Sequence, residues 1–349
     1  IGVRLVGSEM CIRDRPKTAV ILATGGTPMV RSAYSSSNPA IGVGPGNAPV
    51  YVDSSADIDK AANRIVESKS FDNSVLCTNE SVLITLPEID KQLRQSLKKY
   101  GAYICNDDDT SRLRRYLFHG AGFNIETIGR DATWIAKECG IRVPEKTTIL
   151  VTPIEQIGIE ENLSREKLCP VLAYHVAKNR DQAISQARAV LRLTGAGHSA
   201  AVHTMDETVT MAFARTLEVY RIVVNAPCSQ GAAGFGTALA PTFTIGTGYF
   251  GRSSIGENVG PEHLVHWTKL AYNEDASEKF GDYLGVGNDF SGPLPSAPED
   301  GVPGAGHYHF VPSSLSMNTD PLSSITRTEL RQMIAEELRG VLRLSLIHI

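Results

Sequence analysis

The sequence predicts an α/β protein built on a largely parallel sheet, and three observations carry that prediction. Helix-like segments alternate with short apolar runs along most of the chain, the pattern of strands joined by helical crossovers. The apolar run 19–23 ends in Thr24-Gly25-Gly26-Thr27-Pro28 and passes into a helix start, a strand–glycine–helix turn common in such folds. The composition is that of an ordinary globular chain, 42% hydrophobic and 21% charged over 349 residues. That length suffices for two or three domains and a substantial core.

The elements follow in order. The glycine turn at Thr24, Gly25 and Gly26 can aim backbone N–H groups at a phosphate, although a plain βα turn has the same signature. A second glycine-rich strand passage covers 40–53. Ser54 or Ser55 is expected to cap a helix whose Ile58, Ala61, Ala62, Ile65 and Val66 share one face. That helix runs out into 71–80, and a strand is expected at 81–86. Cys77 stands in the loop between them, where an exposed nucleophile would sit; a buried packing cysteine is the competing reading, and composition alone favours it. Beyond it, helices are expected at 90–100, 109–119, 130–139, 181–193 and 207–220. Strands are expected at 148–152, 171–176, 200–203 and 222–225.

Charge and cysteine usage exclude several classes. Lys+Arg 34 against Asp+Glu 38 leaves −4 with no long block of one sign, so no basic stripe offers itself to nucleic acid. No stretch approaches the ~18 apolar residues of a membrane span. The six cysteines, at 11, 77, 105, 139, 169 and 228, form no CxxC pair. Neither a disulfide framework nor a metal site is expected, and the thiols read as reduced and cytoplasmic.

The ends depart from this pattern. Residues 1–15 include VGSEMCIRDR, which resembles a translated sequencing adapter, and 344–349 resembles another. On that reading the natural chain begins upstream of Pro16 and Cys11 has no role.

Seven motifs then fall in one order: ILATGGTPMV, GVGPGNAPVYVD, FDNSVLCTNES, EKLCPVLAYHV, GAGHSAAVHT, RIVVNAPCSQG and SSIGENVGPEHL. Over roughly 17–273 this order resembles the aldehyde dehydrogenase superfamily, and more closely its CoA-acylating branch. The resemblance implies the end of a Rossmann-type dinucleotide-binding domain at 16–46, a catalytic domain at 47–250 and an oligomerisation segment at 251–273, with a strand at 263–271. It makes Cys77 the catalytic nucleophile that adds to an aldehyde carbonyl, passes a hydride to nicotinamide and is left as a thioester. It also offers the Cys77 backbone N–H to the developing oxyanion. Thr24, Gly25 and Gly26 would line the dinucleotide pyrophosphate, and Glu166 would bind the nicotinamide ribose unless it forms a surface salt bridge with Lys167 or Arg165. NAD is the implied cofactor, with NADP left open, and coenzyme A is the implied co-substrate.

Val43 stands where hydrolytic relatives in the resemblance carry a glutamate that activates water. Without such a base, worth typically 10²–10⁴-fold, a thiol becomes the natural acyl acceptor. His198 lies in a glycine-rich segment that the resemblance brings near the site. There it either assists CoA deprotonation or is a structural histidine, and ordinary histidine behaviour favours the second. Asn225 and Pro227 would shape the pocket floor. The implied substrate is a short-chain aldehyde and the implied assembly a homo-oligomer. A hydrolytic aldehyde or semialdehyde dehydrogenase is the alternative reaction, and a non-catalytic scaffold retaining the fold is the alternative class.

The resemblance ends near 273, and 274–324 has linker composition. Within it, 281–324 contains 7 Gly, 6 Pro and 7 Ser among 44 residues, too little apolar content for a core. A helix is expected at 325–343. Thr326 and Glu329 form a capping box, and Leu330, Met333, Ile334, Leu338, Val341 and Leu342 share one face. This segment resembles the encapsulation peptides that carry enzymes into bacterial microcompartments, with shell proteins as partners. A helix docking on its own subunit is the competing reading.

Overall fold

A computed structural model describes residues 20–271, apart from positions 37, 121, 266 and 270. The expected terminal segments, the linker and the 325–343 helix lie outside the described residues. The α/β expectation holds: seven parallel strands form one sheet in the order β11-β10-β3-β4-β9-β8-β5. They are β3 (Ala48–Val52), β4 (Glu80–Thr85), β5 (Ala102–Ile104), β8 (Ile149–Pro153), β9 (Val171–Val176), β10 (Gly197–His203) and β11 (Val219–Val224). Every residue of β3, β4 and β10 is buried. Helices cover both faces, which is why these strands read as unbroken apolar runs instead of alternating ones.

A separate pair, β1 (Ile21–Thr24) and β2 (Ala40–Val43), is also parallel and is joined by α1 (Thr27–Ser35). The Tyr34 hydroxyl accepts from the backbone N–H groups of Gly42 and Ser254, both at 2.9 Å, tying this pair to the 253–254 segment. A short hairpin, β6 (Phe118–His119) with β7 (Gly122–Phe123), completes the strands among the described residues.

The remaining helices are α2 (Ile58–Ser70), α3 (Pro87–Lys99), α4 (Asp107–Leu117), α5 (Ala132–Glu138), α6 (Arg180–Leu193), α7 (Glu207–Thr216) and α8 (Cys228–Ala232). The expected face of α2 is buried at all five positions. Its cap is not Ser54 or Ser55: Asp57 accepts from the Lys60 N–H, while Ser55 donates to buried Asp53. The helix expected at 207–220 stops at Thr216, because Val219 must pair with Gly197 to open β11. The strand expected at 263–271, an oligomerisation element, remains an expectation, since its pairing would come from another subunit. A 3-10 turn, Pro261–Leu264, opens that segment and no strand follows among its described residues; a strand needs a neighbour to take its backbone hydrogen bonds.

Candidate active site

Cys77 follows a reversal at Asp72, Asn73 and Ser74, whose φ values of 48°, 47° and 62° are left-handed. Asp and Asn tolerate this region better than other side chains, which fits the FDNS sequence to the turn. The residues after Cys77 are pinned one by one. Thr78 Oγ1 donates to the Ser229 carbonyl at 3.0 Å, Asn79 Nδ2 donates to the Ser68 carbonyl at 2.7 Å, and Glu80 Oε1 accepts from the Cys228 N–H at 3.1 Å. The loop is therefore anchored to α2 and α8 before β4 begins.

Three loops meet at the amino ends of β3, β4 and β10, and glycines make the meeting possible. A Cβ on Gly46 would lie 2.1 Å from the Cys77 carbonyl oxygen. One on Gly195, at φ +87°, would lie 2.4 Å from the Asn47 nitrogen, and one on Gly197, at φ +80°, 1.9 Å from the Thr247 oxygen. No side chain fits such spaces.

This convergence places His198, fully buried, with Nε2 3.1 Å from Cys77 Sγ and Nδ1 3.1 Å from Ser199 Oγ. Burial, and then the Arg221 charge, push the imidazole down to about 3, so it is neutral at physiological pH. In the tautomer that directs Nδ1–H to the Ser199 hydroxyl, Nε2 is the acceptor that faces the thiol. Burial, and then the Glu166 carboxylate, push the Cys77 thiol up to about 12; its own backbone N–H and Arg221 pull the other way. The site thus holds a protonated thiol beside a neutral base. Arrangements of this kind activate a nucleophile by proton transfer.

Glu166 does not form the surface pair with Lys167 or Arg165. Its Oε1 accepts from the Gly46 N–H at 2.9 Å, and burial raises its carboxyl to about 7 against the pull of Gly46, Lys69 and Lys167. The buried Lys167 ammonium instead donates to the carbonyls of Ser81, Arg165 and Leu163 at 3.1, 2.8 and 2.5 Å. Glu166 and Cys77 therefore share Gly46 as a neighbour.

Thr24, Gly25 and Gly26 end β1 and open α1, with Gly26 at the N-cap. The Gly25 N–H already donates to the Val43 carbonyl. A cleft of about 400 Å³ lies against the first turns of α1, where Thr27 and Arg31 face Gly44, Gly195 and Arg252. The cleft adjoins the glycine junction at Cys77. Its size and glycine walls fit a nucleotide or a thiol ester arm.

Asn225 is not at this pocket floor; Pro227 caps α8, whose Cys228 and Ser229 bond Glu80 and Thr78 beside Cys77. Asn225 follows β11 at the carboxyl end of the sheet, where its amide pairs with the Thr204 backbone at 3.0 and 2.8 Å. Register matches Gly197 with Val219 and Val202 with Val224, so a strand length separates Asn225 from His198. Neighbouring motifs in sequence here sit at opposite ends of adjacent strands.

Sequence reasoning missed Arg221. Its side chain is buried within β11 and donates to the carbonyls of His198, Gly197, Gly256 and Gly246 and to Asn258 Oδ1. It fixes the His198 segment against 246–258. The available signal was an arginine inside the apolar run VYRIVV, since an unpaired charge in a sheet is costly and implies partners.

Fold and site together define a parallel α/β domain in which a loop cysteine meets a buried imidazole. Over the matched residues the chain is a homologue of the acylating aldehyde dehydrogenases. It is 40% identical over 262 residues to the aldehyde-alcohol dehydrogenase of Streptococcus pneumoniae, covering 72% of this chain and 30% of that protein. It is 36% identical over 260 residues to the acetylating succinate-semialdehyde dehydrogenase of Clostridium kluyveri, covering 74% and 57%. A propionaldehyde dehydrogenase from the Clostridium phytofermentans fucose utilisation bacterial microcompartment superposes with TM-score 0.65 at 30% identity, over 72% of this chain and 57% of that one. The propionaldehyde dehydrogenase of Rhodopseudomonas palustris, solved with CoA and an acylated cysteine, gives 0.65 at 30%, over 71% and 56%. No family model matches the chain. The chain spans about a third to just over half the length of these relatives.

Proposed function

We propose that the protein containing this chain oxidises a short-chain aldehyde to its acyl-CoA, with Cys77 as nucleophile and NAD as hydride acceptor. The observation that carries the reading is the 3.1 Å approach of His198 Nε2 to Cys77 Sγ. The Cys77 sulfur bonds to the aldehyde carbon as its proton passes to His198. A nicotinamide cofactor held by Thr24, Gly25, Gly26 and Glu166 would supply the acceptor for the aldehyde hydrogen, taken as hydride. The carbonyl re-forms as a Cys77 thioester; the CoA thiol, losing its proton to solvent as its sulfur bonds the acyl carbon, would displace Cys77, which takes back the proton held by His198. Thr24, Gly25 and Gly26 would flank the pyrophosphate and Glu166 the nicotinamide ribose.

Support for CoA over water as acceptor is the fully buried Val43 at the position a water-activating glutamate would hold. The relative with CoA and an acylated cysteine agrees with it. The hydrolytic alternative and the scaffold alternative have no such support. Among the described residues no group of three or more His, Cys, Asp or Glu could hold a metal ion, and no helix is long and apolar enough to cross a membrane. A homo-oligomer and a microcompartment address, through 325–343 and shell proteins, are part of this proposal; one similar enzyme comes from such a compartment.

The test is acceptor dependence of the purified protein. NADH formation should require CoA and yield a thioester. Free acid released at the same rate without CoA would reinstate hydrolysis.

A further inference from the structure

The carboxyl ends of β3, β10 and β11 carry a second cavity, of about 420 Å³, a strand length from Cys77. Ser55, Asp57, Lys60, Arg64, Met205 and Asn225 are among the residues that line it. Lys60 and Arg64 stand four apart on α2 and so share a face. Their charges are not equivalent. The Lys60 ammonium lies 2.9 Å from the Asp57 carboxylate, which neutralises it. The half-buried Arg64 has no ion pair or hydrogen bond among the described residues.

A second, independent observation concerns His203, two residues before the cavity-lining Met205 and near enough to Arg64 to feel its charge. His203 is 1% exposed, and neither ring nitrogen has a hydrogen-bond partner among the described residues. Its register opposite Val52 turns it to the sheet face away from Tyr51, which stacks on Phe213 of α7. Burial and the Arg64 charge hold its imidazole neutral, down to about 3, so it keeps one donor and one acceptor. Buried polar atoms are ordinarily paired, and orphaned ones mark something missing. The other polar groups are already committed. Ser55 Oγ is bonded to Asp53 and to the Met205 N–H, and the Asn225 amide to Thr204.

We propose that this cavity is a binding site for a small monocarboxylate, seated on the Arg64 guanidinium with its carbon chain along Met205 and His203 close by. One net positive charge suits one negative charge, and a planar guanidinium fork matches a carboxylate in two parallel hydrogen bonds. Met205, 74% exposed, supplies an apolar wall beside the charge. The site is independent of the reaction assigned to Cys77.

The test uses this chain with sodium butyrate as probe, following the His203 ring signals by ¹H–¹⁵N NMR at constant ionic strength. A saturable shift is expected, weakened at least tenfold by Arg64→Gln and less by Arg64→Lys. Met205→Asp, at an exposed position that leaves the core intact, should abolish it by opposing the carboxylate. Inorganic phosphate at matched ionic strength should bind more weakly. Shifts that stay linear in butyrate, an Arg64→Gln titration equal to the natural chain's, or tighter binding of phosphate would each overturn the proposal. So would a failure to bind because another subunit's acidic side chain fills the cavity.

Discussion

Cys77 is held as a thiol by what surrounds it, and its neighbours' contributions separate cleanly. Glu166 raises the thiol's pKa through its negative charge, second only to burial. Removing that charge without changing the shape, in Glu166→Gln, should lower the thiol pKa and speed alkylation of Cys77 by iodoacetamide at pH 8 severalfold. A slower reaction would mean that Glu166 helps ionise the thiol, contrary to the sign of its charge. Much of this centre was legible in the sequence. The loop position of Cys77 follows from the helix and strand that flank it. The contact with His198 was not legible: a lone histidine beside alanines reads as packing, and only pairing β10 with β3 brings it across to the thiol. Arg221 was hidden for a similar reason, since its five acceptors come from segments up to 37 residues away. Asn225 was misplaced because closeness in sequence to the motif at Cys228 does not say which end of a strand it occupies.

Among the elements, β4 carries the largest electrostatic liability. Its first residue, Glu80, is fully buried, and Oε2 has no partner. Burial raises its carboxyl from 4.5 to about 7, against the pull of Ser68, the Cys228 N–H and Lys69. A carboxyl whose folded pKa is raised contributes its full stabilisation below the unfolded value and loses it as pH climbs through the folded one. Glu80→Gln keeps the Oε1 acceptor for Cys228 and removes the charge. Its stability relative to the natural chain should therefore rise between pH 5 and pH 8, by roughly 1–3 kcal/mol. Urea unfolding of both chains at the two pH values measures this, and an equal difference at both would refute it. The longer strands were readable from apolar runs, to within one to three residues, while the three-residue β5 and the β6–β7 hairpin are too short to show such a run. Helix ends were less so. Ser54 and Ser55 had the right chemistry for a cap, but buried Asp53 takes the Ser55 hydroxyl and Asp57 takes the role.

At the scale of the whole molecule, one parallel sheet presents its amino ends to Cys77 and its carboxyl ends to the Arg64 cavity. The proposed address segment requires a partner outside this fold, because an isolated helix of its length is marginal in water. Residues 321–343 fused to a fluorescent protein should co-localise with co-expressed shell proteins, and Ile334→Asp with Leu338→Asp should disperse the signal by charging the apolar face. A diffuse natural fusion, or a double variant that localises as well, would remove the address. The glycine junction has a different consequence. With Gly46 against the Cys77 carbonyl, the thiol environment exists only while β3 and β4 are paired. An opened chain returns the sulfur from about 12 toward its ordinary value near 9, exposing far more thiolate at neutral pH. Peroxide or an alkylating reagent then has a second route to the sulfur, through molecules that have momentarily come apart there, beside the direct route set by the folded thiol. The rate of that second route becomes a clock for local opening, readable while the rest of the sheet stays folded.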